Sequence, residues 1–221
     1  MADILLHDYW RSSAAYRVRI ALNIKGLPYR QHSVHLVRDG GEQKKPDYLT
    51  VNPQGLVPAL QVDGLTITQS LVIMEWLEEQ YPQPALLPGQ PAEKAWVRAL
   101  AQVVACDIHP LNNLRVMSWL KDDANGAMDD ETFTQWYQHW IKAGFRAIET
   151  QLESSPFSGL CCYGDAPGYA DACLIPQMYN AERFACDLEG FPRIRTITEY
   201  CRKLPAFLNA LPENQPDAIT S

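Results

Sequence analysis

Apolar and polar positions along this chain follow two periods, and the change between them divides it. Near the N-terminus Ile4-Leu5-Leu6-His7 reads as a short strand. Ala14, Val18, Ala21 and Leu22 then recur at helical spacing within 11–25, until Gly26-Leu27-Pro28 stops the pattern. Tyr29 to Leu36 returns to strand character, with Val34 and Leu36 alternating against His35. Strand, helix, strand is the unit that builds a parallel pair. A polar loop with a Gly40-Gly41 turn follows, then a brief helical turn over 48–52 closed by Pro53. Leu60 and Val62 alternate before Asp63-Gly64, and Leu65 and Ile67 after it, a strong two-residue hairpin signal. Pro58 cannot donate to a ladder, so it belongs at a strand start or bend. The Val57–Pro58 bond is expected trans; a cis bond would leave Val57's backbone groups open to a ligand. Gln69-Ser70 opens a helix with Ile73, Met74, Leu77 and Tyr81 on one face, with Ser70 expected as its N-cap.

Four prolines and a glycine between Pro82 and Pro91 mark a connector. Beyond it the period is helical throughout. Trp96, Leu100, Val103, Val104 and Ile108 form one stripe, a kink is expected at His109-Pro110, and Leu111, Leu114 and Trp119 continue it. A polar segment over 122–130 precedes a long amphipathic helix marked by Phe133, Trp136, Trp140, Ile141, Gly144, Ile148 and Leu152, whose aromatics read as core. Asp171 opens a further helix that runs through Pro176 towards Phe184, and a last one covers about 194–204. The tail from Pro212 is polar and expected to fray. The organisation is therefore 1–83, an α/β domain; 84–91, a linker; and 92–221, an all-α domain.

At 221 residues, 47% of them hydrophobic, the chain is long enough to bury a substantial core. A net charge of −7 with no basic run argues against nucleic acid or an anionic membrane as partner. No apolar run approaches the roughly 20 residues of a membrane span, and no signal-peptide pattern opens the chain, so a cytoplasmic protein is expected. All six cysteines lie in the second half: Cys106, Cys161, Cys162, Cys173, Cys186 and Cys201. None forms a C-x-x-C pair or a regular zinc spacing, so no metal is expected and buried free thiols are the reading.

The head of the first helix carries Arg11, Ser12 and Ser13. Its free N–H groups and the positive end of its dipole suit an anion such as a thiolate or carboxylate, although either serine also serves as a plain N-cap. Strand–helix–strand, loop, hairpin, helix is the thioredoxin arrangement, which usually works with its own cysteine at this helix. Here the first cysteine is Cys106. If the domain does sulfur chemistry, the sulfur arrives with a ligand, and glutathione is the candidate.

A thiol-free thioredoxin-like domain, a proline-rich linker and a helical second domain together resemble a soluble glutathione transferase. Arg11-Ser12-Ser13 with Tyr16-Arg17-Val18-Arg19-Ile20-Ala21-Leu22 is similar to the signature of the zeta class, the class of the maleylacetoacetate isomerases. Segments 52–58, 69–70, 109–115 and 181–184 resemble further family segments, so the likeness covers nearly the whole chain. It implies that the Val57 backbone, before Pro58, pairs with the cysteinyl group of glutathione. It also implies that Gln69 and Ser70 hold the γ-glutamyl end, that Gln43 reaches the ligand, and that His109, Asn113 and Arg115 lie near the pocket. A homodimer is expected on the same ground. Two positions depart from the family: Ala14 replaces a cysteine of the animal members, and Gly168 a Thr or Ser cap.

The implied reaction is the cis–trans isomerisation of maleylacetoacetate to fumarylacetoacetate with glutathione as unconsumed cofactor. Thiolate addition makes the double bond single, rotation follows, and elimination restores the bond as trans. Ser12, and Ser13 beside it, would donate to the sulfur and favour its anion. Arginines suit the dicarboxylate substrate: Arg11 and Arg183 first, then Arg115. Arg11, Arg17 and Arg19 form a local positive patch, with Arg17 and Arg19 read as a solvated helix face or as structural pairs. His109 is either catalytic or a polar group at a kink. Three rivals stand beside this reading. They are a maleylpyruvate isomerase, in which a second arginine is expected where this chain has Leu114; a conjugating glutathione S-transferase; and a non-enzymatic interaction protein.

Overall fold

The computed structural model describes residues 3–218, in two compact units: residues up to Leu87 together with the segment from Arg202 onward, and Pro88–Cys201. In the first unit, β1 (Ile4–Asp8), α1 (Ser13–Ile24), β2 (Arg30–Ser33), α2 (Pro46–Val51), β3 (Ala59–Val62), β4 (Leu65–Thr68) and α3 (Ser70–Gln80) follow one another. The sheet order is β2-β1-β3-β4. β1 pairs parallel with β2, placing Leu6 opposite Gln31, and antiparallel with β3, placing Leu6 opposite Leu60. The hairpin forms as its sequence dictates: Val62 faces Leu65 across Asp63 and Gly64, both at positive φ (48° and 80°).

Several expectations give way to tertiary contacts. β2 stops at Ser33 rather than Leu36, opposite Asp8 where β1 ends; Val34 N still donates to Asp8 O, and Glu42 holds the next residue, its carboxylate accepting from His35 N and its own N–H donating to His35 O. The His35 ring then accepts from the N–H groups of Val37 and Arg38. Val57–Pro58 is cis, not trans, and Gln83–Pro84 is cis as well. Ser70 is not the cap of α3 but its first residue, preceded by Gln69 at φ 70°.

The expected positive patch is no surface feature beyond Arg11. Arg19 is fully buried and paired through one nitrogen with both oxygens of Asp8, at 2.8 and 2.9 Å, while Arg17 is 2% exposed. Both are structural, as one of the two sequence readings had it.

The C-terminal segment was expected to belong with the helical domain and to fray. Its described part instead packs on the first unit through α9 (Pro205–Leu208) and the turns after it. Asn23 and Arg19 donate to the carbonyls of Ala206 and Ala210, Gln31 donates to the Gln215 amide, and Asp217 accepts from Trp10 N and Ser33 Oγ. Residues 219–221 lie outside the described part.

The second unit holds α4 (Pro91–Gln102), α5 (Leu114–Leu120), α6 (Asp130–Ser154), α7 (Tyr169–Arg183) and α8 (Pro192–Cys201). The kink expected at His109-Pro110 is a longer change of winding, a π turn over Val103–Ile108 followed by a 3-10 turn over His109–Asn112. Gly144 is needed opposite it, since a Cβ there would come within 2.3 Å of Ile108 Cδ1. Of the apolar stripe on α6, Ile141, Gly144, Ile148 and Leu152 are buried and the three aromatics half-buried. Leu114 and Trp119 do not continue the core; they are 43% and 60% exposed, and Met117 points inward in their place. Every cysteine except Cys106 is buried, and all six are free.

Candidate functional site

The head of α1 is built by a tight turn. Ser12 N donates to Tyr9 O, and Ser12 O accepts from Tyr16 N, both at 2.8 Å, so the helix begins immediately after Ser12. Ser12 is the N-cap: its Oγ accepts from Ala15 N at 3.2 Å. A hydroxyl so placed still has its own proton to donate. Capping and anion binding are therefore compatible at this one residue. Ser13 is the first helical residue and is buried, while Arg11 is half-buried with its guanidinium 4.6 Å from the centre of the Trp10 ring.

Four other sequence-derived residues are tied to this point through the first unit. Trp10 and Val57 share one apolar cluster with Tyr9, Val34 and Tyr48. The loop ahead of Val57 is held by its Leu56 carbonyl, which accepts from Tyr48 Oη and Asn52 Nδ2, both at 2.7 Å. Burial raises the Tyr48 pKa, so the phenol stays a donor. Gln54 in that loop accepts from Gln69 Nε2 at 2.7 Å, and Ser70 Oγ accepts from Arg17 Nη1 at 3.1 Å. Gln43 sits in a 3-10 turn, 7% exposed, its Nε2 donating to Leu36 O. Its Oε1 is buried and has no hydrogen-bond partner among the described residues. Gly41, at φ 102°, leaves the space that amide fills: a Cβ there would come within 2.6 Å of it.

The head of α1, the Val57 loop, the start of α3 and Gln43 thus form one network within the first unit. The sequence reading gave Gln54 a place in it only within segment 52–58 and Arg17 none. For Arg17 a signal existed, since residue 17 lies on the same helical face as Ala14, Val18 and Ala21, where an arginine is buried only with partners.

The remaining candidates belong to the second unit. His109 is half-buried at the start of the 3-10 turn. Asn113 is the N-cap of α5, its Oδ1 accepting from Arg115 N at 3.1 Å, and Arg115 itself is exposed. Arg183 ends α7, exposed, with its guanidinium 5.3 Å from the Phe184 ring centre; that ring stacks on Tyr137 at 3.6 Å.

Comparison with known proteins gives a consistent result. Residues 11–80 match the family model of the glutathione S-transferase N-terminal domain. A probable maleylacetoacetate isomerase of Vibrio cholerae is 49% identical over 99% of this chain and 100% of its own. The holo structure of a maleylpyruvate isomerase, described as a bacterial glutathione S-transferase of the zeta class, superposes with a TM-score of 0.93 at 44% identity, covering 97% of this chain and 100% of that one. The maleylacetoacetate isomerase of Anaeromyxobacter dehalogenans, solved with dicarboxyethyl glutathione and citrate in its active site, reaches a TM-score of 0.85 at 39% identity, covering 99% and 94%.

Proposed function

The chain belongs to the glutathione S-transferase family, and from that premise we propose that it is a glutathione-dependent cis–trans isomerase of maleyl dicarboxylates, acting on maleylacetoacetate. The observation that carries the reading is Ser12: a hydroxyl capping the first helix of a thioredoxin-type unit that holds no cysteine. The first unit also fits glutathione on its own evidence, because the buried, unpartnered Oε1 of Gln43 is an acceptor awaiting a donor.

When bound, glutathione supplies a thiolate that adds reversibly to the activated double bond and so permits rotation. The protein's part is positioning and charge. Ser12 donates its hydroxyl proton to the sulfur, and the N-terminus of α1 adds a positive potential, both favouring the anion. The Val57 backbone holds the cysteinyl group in the manner of a short added strand, and Gln69, Ser70 and Gln43 hold the remainder. Carboxylate recognition falls to arginines, which keep their charge and meet a carboxylate with a planar fork: Arg11, Arg183 and Arg115. His109 and Asn113 are assigned to glutathione binding from the helical unit. We further read the protein as a cytoplasmic homodimer in aromatic amino-acid catabolism.

The likeness to the maleylpyruvate isomerase favours a second substrate of the same chemistry, while Leu114, where that relative is expected to carry an arginine, favours maleylacetoacetate. Purified protein mixed with either acid, with and without catalytic glutathione, decides between them. Conversion that needs glutathione and does not consume it is expected, faster on maleylacetoacetate. Activity without glutathione would overturn the borrowed-thiol mechanism. Conjugates accumulating in place of trans product would mark a conjugating transferase.

A further inference from the structure

Buried inside the helical unit, Cys161 Sγ, Cys201 Sγ and a carboxylate oxygen of Asp171 all lie within 4.8 Å of one another. Both cysteines are fully buried and Asp171 is 1% exposed. The three residues are 10 and 30 positions apart, so only the fold assembles them. They come from the loop ahead of α7, the first turn of α7 and the last residue of α8. We propose that Cys161, Asp171 and Cys201 form a structural site for one soft divalent d10 cation, zinc in kind.

The donor set is right for such an ion, which takes thiolate sulfur at about 2.3 Å and carboxylate oxygen at about 2.0–2.2 Å, with tetrahedral neighbours about 3.3–3.8 Å apart. Cys201 Sγ already stands 3.9 Å from Asp171 Oδ1. The carboxylate is oriented by its surroundings, since Oδ1 accepts from Cys162 N at 2.8 Å and Oδ2 from Gly168 N at 2.9 Å. Two thiolates, one carboxylate and a divalent cation leave one net negative charge. That charge falls at the N-terminus of the 15-residue α7, where the helix dipole favours it. The thiol of Cys162, next in the chain to Cys161, interacts with the same carboxylate.

Binding exchanges protons for metal: each thiol gives up one proton as its sulfur–metal bond forms, so one cation releases two. Because loading displaces two protons, affinity rises with pH. Loading joins α8 to the start of α7 and stabilises the folded state by mass action.

The test is a titration of reduced, chelator-treated, glutathione-free protein with cadmium, followed by the thiolate-to-cadmium charge-transfer band, metal content after desalting, and proton release. One tightly held cadmium per chain, two protons released and a raised melting temperature are expected. Cys106→Ser, which alters only the exposed thiol, should keep the band, and Cys161→Ala/Cys201→Ala with an unchanged circular dichroism spectrum should lose it. Should that double variant not fold, Cys201→Ser carries the test, with the band reduced and affinity down at least about tenfold. No stoichiometric binding, a band lost in Cys106→Ser, or one unchanged in the folded Cys161 and Cys201 variants overturns the proposal.

Discussion

Arg17 Nη1 donates to Ser70 Oγ across 3.1 Å, and both side chains are buried. One contact therefore couples the helix that presents Ser12 to the residue opening α3. Removing one partner of a buried, charge-assisted hydrogen bond leaves the other desolvated without compensation. Arg17→Ala is expected to lose about 2–3 kcal/mol of stability in urea unfolding. Because Ser70 is assigned to the γ-glutamyl end of glutathione, KM for glutathione should rise while kcat changes less. Arg17→Lys should fall between the two on both measures.

Ser12 carries two tasks that substitution can separate. Ser12→Ala removes the cap, for about 1 kcal/mol, and also the proposed donor to the sulfur. Without that donor the bound thiol's pKa rises, so the pH dependence of kcat should move to higher pH. Ser12→Thr keeps both functions and should stay near the parent. Ser13→Ala, one residue into the helix, should shift the profile less.

An acid-sensitive clip joins α1 to the proline-rich segment. Lys25 Nζ contacts Glu78 Oε2 and the carbonyls of Tyr81 and Pro84, while Glu78 accepts from the N–H groups of Leu86 and Leu87. Burial pushes the Glu78 carboxyl up, but Lys25 and the two N–H groups outweigh it and hold its pKa below the usual value of 4.5. A carboxylate with a depressed folded pKa binds fewer protons than the unfolded chain. Its contribution is thus whole above pH 4.5 and disappears as pH falls through the folded value. Glu78→Gln should lower stability at neutral pH and flatten the acid limb of stability against pH, measured by denaturant midpoints.

The arginine assignments differ in what their loss should do. Arg11→Ala and Arg183→Ala should each raise KM for the dicarboxylate about 10–100-fold with glutathione affinity held, the range of one charge-assisted hydrogen bond. Both arginines are only partly covered, so midpoints of unfolding should change by less than about 0.5 kcal/mol. An unchanged substrate KM in either variant removes that residue from the assignment.

Glu42 illustrates what short-range pattern misses. The run 29–36 has the alternation of a strand, yet the pairing ends where β1 runs out at Asp8, which accepts from Val34 N, and the Glu42 carboxylate takes the donor that follows, His35 N. Ser70 illustrates the same point at the site. Its residue type and place before an apolar run read as a cap, and the arginine one helix away gives the hydroxyl another partner. Trp119 and Leu114 keep the helical period but end up exposed, because α5 is short and presents Met117 inward.

Local order was determined by the sequence alone: the βαβ unit, the Asp63-Gly64 hairpin, the helical second half and the cap at Ser12 follow from φ preference, alternation and spacing, which act within a few residues. Tertiary structure decided what depends on distant partners. It buried Arg19 against Asp8, drew the C-terminal segment onto the first unit through Arg19, Asn23 and Gln31, and brought Cys161, Asp171 and Cys201 into one buried cluster. Buried charges and thiols take their character from neighbours supplied by other elements, and in a linear reading those neighbours are not yet adjacent.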